Sequence, residues 1–161
     1  MKKNLLIPFD FKIESLNTLK IAVQQNPTTE IHVILLYAKL LNNSITDLLF
    51  YSPREIIKSM LNKDFEDALS IIKNRYENNL KKVEIKLIHS KNLSTINRFL
   101  KSNHVEEIFI PRSYKLEMSN NGLDLIPLLK SSGVTIREVD WKQTLYNNQS
   151  NRLESIFNTH H

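Results

Sequence analysis

Cysteine is absent from the 161 residues, and glycine occurs only twice, as Gly122 and Gly133. The first absence excludes disulfides, thiolate zinc sites, thiolate-held iron–sulfur clusters and a cysteine nucleophile, and it fits a reducing compartment. The second excludes two phosphate-binding signatures. Average usage would give about eleven glycines in such a chain, and with two neither G-x-G-x-x-G nor a Walker-type loop can be written. Long apolar runs are also missing. The longest, Val33 to Ala38, is far short of the roughly 20 residues of a membrane-spanning helix. Lys2 and Lys3 are followed by no signal-peptide core before Pro8 and Asp10, so no membrane association and a cytoplasmic location are expected.

What is present is globular. Hydrophobic residues make up 41% and charged residues 24%, close to the average for folded domains. A chain of this length forms one domain that buries more than half of its unfolded surface. The formal charge is +5, from 22 basic and 17 acidic side chains. The tightest basic groups, Lys2-Lys3 and Lys81-Lys82, are not interleaved with aromatics. That favours a solvated surface over a nucleic-acid footprint.

Periodicity divides the chain into alternating elements. Asn4 to Pro8 is a short apolar run, read as a buried strand ended by Pro8 and Asp10. Leu16, Leu19 and Val23 give an amphipathic helix over Ser15 to Gln25, stopped by Asn26-Pro27. Ile31 to Ala38 is apolar on both faces and belongs inside a parallel sheet. Asn42 to Ser52 is read as a loop. Ser52 and Pro53 then form an N-cap and first-turn proline. The apolar stripe from Ile56 to Leu80 makes a long helix, with a break expected near Asn62 to Asp64. Val83 to Ile88 is a strand, Leu93 to Asn103 a helix and Val105 to Ile110 a strand ended by Pro111. Leu123 to Lys130 is a helix with Asp124 as N-cap, and Val134 to Val139 a last strand. The order β-α-β-α-β-α-β-α-β predicts an α/β fold, a parallel sheet with helices on both faces. The domain spans residues 1–140. Residues 141–161 lose the periodicity and are read as a C-terminal tail that is disordered or docks on a partner.

These residues resemble the universal stress protein family over about Lys3 to Asp140. The opening N-L-L-I-P-F-D-F of Asn4 to Phe11 is similar to that family's first strand and its P-T-D-F-S-like ending, and L-L-Y-A of Leu35 to Ala38 is similar to its L-L-H-V. Val83 to Pro111 follows the family's strand–helix–strand rhythm without a gap, with Ser90 where a glycine is usual. The resemblance implies an adenine nucleotide alpha-hydrolase-like fold, an open parallel sheet of five strands in order 3-2-1-4-5. Ligands of such sheets bind outside the carboxyl ends of the strands, where the order reverses. Here that is the crevice between the first and fourth strands, and the candidate residues are Pro8, Phe9, Asp10, Ala38, Ile110, Arg112 and Ser113. Asp10 and Ala38 match the positions that contact adenosine in nucleotide-binding members. Asp10 has a local reading too, as an Asx turn or cap for the next helix. Arg112 and Ser113 could meet an anion or simply form a surface loop.

The phosphate end departs from the family. ATP-binding members carry G-x-x-G, about nine residues, then G-S or G-T, which lets backbone amides approach phosphate. The first two glycines fall here on Pro111, which has no amide hydrogen, and Tyr114. Only Gly122 remains, followed by Leu123 and by Asp124, whose charge would oppose phosphate. ATP bound in the usual mode is therefore disfavoured, and no cofactor is expected.

Other constellations carry less. His89 and Ser90 are adjacent on an extended chain and face opposite ways, so they are poorly placed as base and nucleophile. His32 and His104 are isolated, His160 and His161 are left out of any metal argument, and no carboxylate–histidine spacing suits zinc. Lys115 to Ser119 is only faintly similar to the K-M-S-K-S loop of class I tRNA synthetases, without a companion H-I-G-H signature. The resulting expectation is a non-enzymatic regulatory or stress-response module. The alternatives are an adenine-nucleotide switch that rebuilds its phosphate loop from Arg112, Ser113 and Lys115, and a pocket for another small anionic metabolite. The resemblance also implies a homodimer through the final strand, Val134 to Val139. Trp141, Leu145, Tyr146, Leu153, Ile156 and Phe157 of the tail supply further apolar surface for it.

Overall fold

A computed structural model describes residues 1–41, 49, 51–119 and 121–141. The chain alternates strands and helices as expected. β1 (Lys2–Pro8) leads through a 3-10 turn (Ile13–Ser15) into α1 (Leu16–Gln24) and β2 (Glu30–Lys39). Two helices follow, α2 (Pro53–Met60) and α3 (Lys63–Arg75), then β3 (Leu80–Ile88), α4 (Leu93–Ser102) and β4 (Glu107–Pro111). A two-residue strand, β5 (Gly122–Leu123), precedes α5 (Ile126–Lys130) and β6 (Thr135–Val139). Most of the expected loop and tail, including Leu145, Tyr146, Leu153, Ile156 and Phe157, lies outside the described residues.

The sheet order is β3-β2-β1-β4-β6, with every neighbouring pair on this path parallel. This is the expected order 3-2-1-4-5, the last strand being β6. The period of two along each strand separates two cores. Leu5, Ile7, Phe9, Val33, Leu35 and Tyr37 point to one face, where Leu16, Leu19 and Val23 of α1 and Phe65, Ala68 and Ile72 of α3 cover them. Leu6, Leu36, Ala38, Ile108 and Ile110 point to the other, under Ile96 and Leu100 of α4 and Leu129 of α5.

Two boundaries are instructive. The apolar stripe makes two helices, broken where the sequence suggested, because the Asn62 side chain accepts the Phe65 amide at 2.9 Å and its backbone is extended, which starts α3 afresh. Ser52 caps α2 in the same way through the Glu55 amide, at 3.3 Å. The expected helix over Leu123 to Lys130 begins only at Ile126. Gly122 and Leu123 are instead drawn into the sheet, antiparallel to β2. Asp124 still works locally, its Oδ1 accepting the Ile126 amide at 2.9 Å.

Candidate functional site

β1 stays paired to β2 as far as Pro8 opposite Leu36, and the Phe9 amide donates to the Leu36 carbonyl at 3.1 Å. β2 runs on to Lys39. On its other side it is paired to β3 through Ala38 opposite Ile88, so only the flank above the end of β1 is open. β5 fills that flank, with Leu123 opposite Ala38 and Gly122 opposite Lys39, and the Leu40 amide donates to the Asn121 carbonyl at 2.8 Å. The segment leaving β4 must therefore cross the carboxyl end of β1. It passes over the switch point of the sheet.

Asp10 sits beneath this crossing and is 4% exposed. Its Oδ1 accepts the Lys12 amide at 2.9 Å, the Asx turn read from sequence. Its Oδ2 accepts the Tyr114 hydroxyl at 2.5 Å and the Glu117 amide at 2.9 Å. Burial, then the hydrogen bond to the Asp10 carboxylate, push the Tyr114 phenol far above its ordinary range. Tyr114 is thus a neutral donor, and three of the roughly four acceptor positions of the carboxylate beneath it are taken by its own chain. Between Asp10 and Lys12, Phe11 takes a left-handed conformation (φ 63°), uncommon for a bulky residue. It thereby turns its ring into the core, 4.4 Å from Phe9 and 5.1 Å from Tyr37.

Further along the crossing, Leu116 is buried, and the Ser119 Oγ lies 2.7 Å from the Tyr37 hydroxyl. The Ser119 amide donates to the same hydroxyl at 3.3 Å. Gly122 is required by this packing. A Cβ there would stand 2.5 Å from the Tyr37 hydroxyl and 2.9 Å from the Ser119 carbonyl oxygen. Its missing Cβ admits the close approach of the chain to Tyr37.

The other sequence candidates are distributed between core and rim. Pro8, Phe9, Ala38 and Ile110 are all buried, the last three at 2% exposure or less. The Arg112 amide donates to the Val139 carbonyl at 2.8 Å, and its exposed side chain lies 3.5 Å from Glu138. The Ser113 amide donates to Asp140 Oδ1 at 3.1 Å. Of the set, Asp10 lines a cleft of about 510 Å³ between the Asp10–Lys12 turn, Ser59 and Met60 of α2, and Glu117 to Ser119. Sequence reasoning missed Tyr37, Tyr114, Glu117 and Ser119. The signal available was the pair of departures at Pro111 and Tyr114, where a tyrosine replaces a glycine.

His89 pairs with Tyr51 rather than with Ser90. Its Nδ1 lies 2.6 Å from the Lys39 carbonyl, which can only accept, so in the neutral ring Nε2 accepts from the Tyr51 hydroxyl. Among the described residues no cluster of His, Asp and Glu could hold a metal ion, and no helix is long and apolar enough to cross a membrane.

No protein-family model and no curated protein sequence matches the chain. Solved structures do. The universal stress protein UspA from Lactobacillus plantarum superposes with a TM-score of 0.55 over 85% of this chain and 97% of its own, at 12% identity. A hypothetical protein, PH0823, superposes with a TM-score of 0.52 over 88% of this chain and 98% of its own, at 17% identity. With the strand order above, this establishes the universal stress protein fold for the chain.

Proposed function

We propose that the chain is a stress-response regulatory module of the universal stress type, without catalytic activity, that does not take ATP in the family's usual mode. The observation carrying this reading is the filled switch point. Asp10, the carboxylate best placed to meet a nucleoside, already accepts three hydrogen bonds from Lys12, Tyr114 and Glu117. A ligand taking Oδ2 would have to displace the Tyr114 hydroxyl and the Glu117 amide and leave them without this acceptor, at about 1–3 kcal/mol each. The phosphate end offers no compensation. Pro111 has no amide hydrogen, and the amides of Arg112 and Ser113 are committed to Val139 and Asp140. Calorimetric titration of the full chain with ATP and magnesium is expected to give no binding heat. Micromolar affinity would overturn the reading.

The module is proposed to act as an isologous homodimer. Among the described residues β6 pairs only with β4, which supports a free edge able to add a second copy of itself. Thr135, Arg137 and Glu138 are exposed along it. Light scattering on the full chain is expected to return twice the 18.9 kDa monomer mass. A monomer at tens of micromolar, a concentration at which specific dimers of ordinary interface size persist, would refute the pairing.

A further inference from the structure

We propose that the segment after β4 is a latched strap, and that Trp141, at the exit of β6, controls how tightly the strap closes over Asp10. The inference rests on the reading that the chain fills its own switch point. It adds the regulation of that site.

Three consecutive residues at the end of β6 each hold one of three consecutive residues of the strap. The Val139 carbonyl accepts the Arg112 amide at 2.8 Å, Asp140 Oδ1 accepts the Ser113 amide at 3.1 Å, and the Trp141 ring packs on Tyr114 with centroids 5.6 Å apart. The register continues that of the sheet, where Pro111 lies opposite Val139. Tyr114 is the joint. Its ring rests on Trp141 while its hydroxyl holds Asp10 Oδ2, so displacing the indole displaces one of the two strap donors on that oxygen. The other donor, the Glu117 amide, sits three residues further along the same strap.

The strap is built to move as a unit. Its described residues between Pro111 and Gly122 carry no helix or strand, and six of them, Arg112, Ser113, Lys115, Glu117, Ser119 and Asn121, are exposed. Beyond the latch to the end of β6, its attachments are the pair on Asp10, buried Leu116, the Ser119 contact to Tyr37 and the Asn121 carbonyl, which accepts the Leu40 amide. It is bounded by Pro111 on one side and by Asn121, in a left-handed conformation (φ 64°), next to Gly122 on the other. Segments held by few buried contacts open locally at a fraction of the global unfolding free energy. Opening would uncover the Asp10 carboxylate and enlarge the adjoining cleft. Whatever binds at the end of β6 and holds Trp141 in place keeps the strap shut, and whatever draws Trp141 away releases it. Such coupling is reciprocal.

Hydrogen exchange on the full chain tests this, because protection of the Glu117 amide reports its bond to Asp10. In Trp141→Leu that amide is expected to exchange about three- to tenfold faster, the factor corresponding to loss of one aromatic pair, while amides of β1 keep their wild-type rates. Unchanged exchange at Glu117 would overturn the proposal. So would equal acceleration in β1, since that would mean general destabilisation rather than a relay. Reciprocity gives a second readout, as Trp141 is the only tryptophan. Tyr114→Phe keeps the ring but removes the hydroxyl, and is expected to shift indole emission to the red. Emission identical to wild type would also overturn the coupling. Micromolar ATP binding by the wild type would sink the reading of the filled switch point, yet leave this relay measurable on its own.

Discussion

Replacing Phe9 with Ala is expected to lower stability by about 3–5 kcal/mol, the range for removing a fully buried aromatic side chain. Phe9 is 1% exposed although it lies one residue beyond β1, at the mouth of the sheet. Its ring is 4.4 Å from Phe11, 5.7 Å from Phe65 and 6.2 Å from Tyr37. The four rings form the upper end of the core between the sheet and α3, and the loss would remove both buried area and aromatic pairing. Were Phe9 a wall of an open ligand crevice, its truncation would cost far less and would chiefly alter binding. Urea denaturation of the variant decides between the two. Arg112→Ala, at an exposed rim position, gives the reference and should stay within about 0.5 kcal/mol of wild type. A Phe9→Ala loss below about 1 kcal/mol would contradict the packing described here.

That contrast between core and crevice marks where the sequence was legible. The apolar runs of β1 and β2 are a local property, and so is the capping chemistry of Ser52, so strands and helices followed from short windows of the chain, whereas the sheet order came from what the family resemblance implies. The Lys12 half of Asp10's bonding was equally local, an Asx turn spanning two residues. The other half was not. Tyr114 and Glu117 reach Asp10 across 104 and 107 residues of sequence, and Ser119 reaches Tyr37 across 82. No periodicity announces a hydrogen bond of that range. Gly122 illustrates the same limit. As a motif fragment it suggests a vestige of a phosphate loop, whereas its missing Cβ admits the Tyr37 hydroxyl. β5 escaped notice because two residues, Gly and Leu, are too few to show a period, and their pairing partner is far away in sequence.

Asp10→Asn is expected to destabilise the protein by about 1.5–3 kcal/mol, the usual worth of a hydrogen bond to a charged group. The reasoning is geometric. With its oxygen kept toward Lys12, the asparagine places an NH2 group where Oδ2 accepted two donors. The Tyr114 hydroxyl can rotate and accept from that group. The Glu117 amide cannot, because a backbone N–H only donates, so one buried donor loses its partner. If Asp10 were instead reserved for an external ligand, the substitution would leave the isolated protein within about 0.5 kcal/mol of wild type. A double-mutant cycle sharpens the distinction. Tyr114→Phe alone removes one donor from the carboxylate, and in the Asp10→Asn background the charged acceptor that gave this bond its strength is already gone. The two losses should therefore fall short of additivity by about 1 kcal/mol or more. Additive losses would mean that Tyr114 and Asp10 stabilise the fold independently, and the carboxylate would then have to be held by something other than the strap.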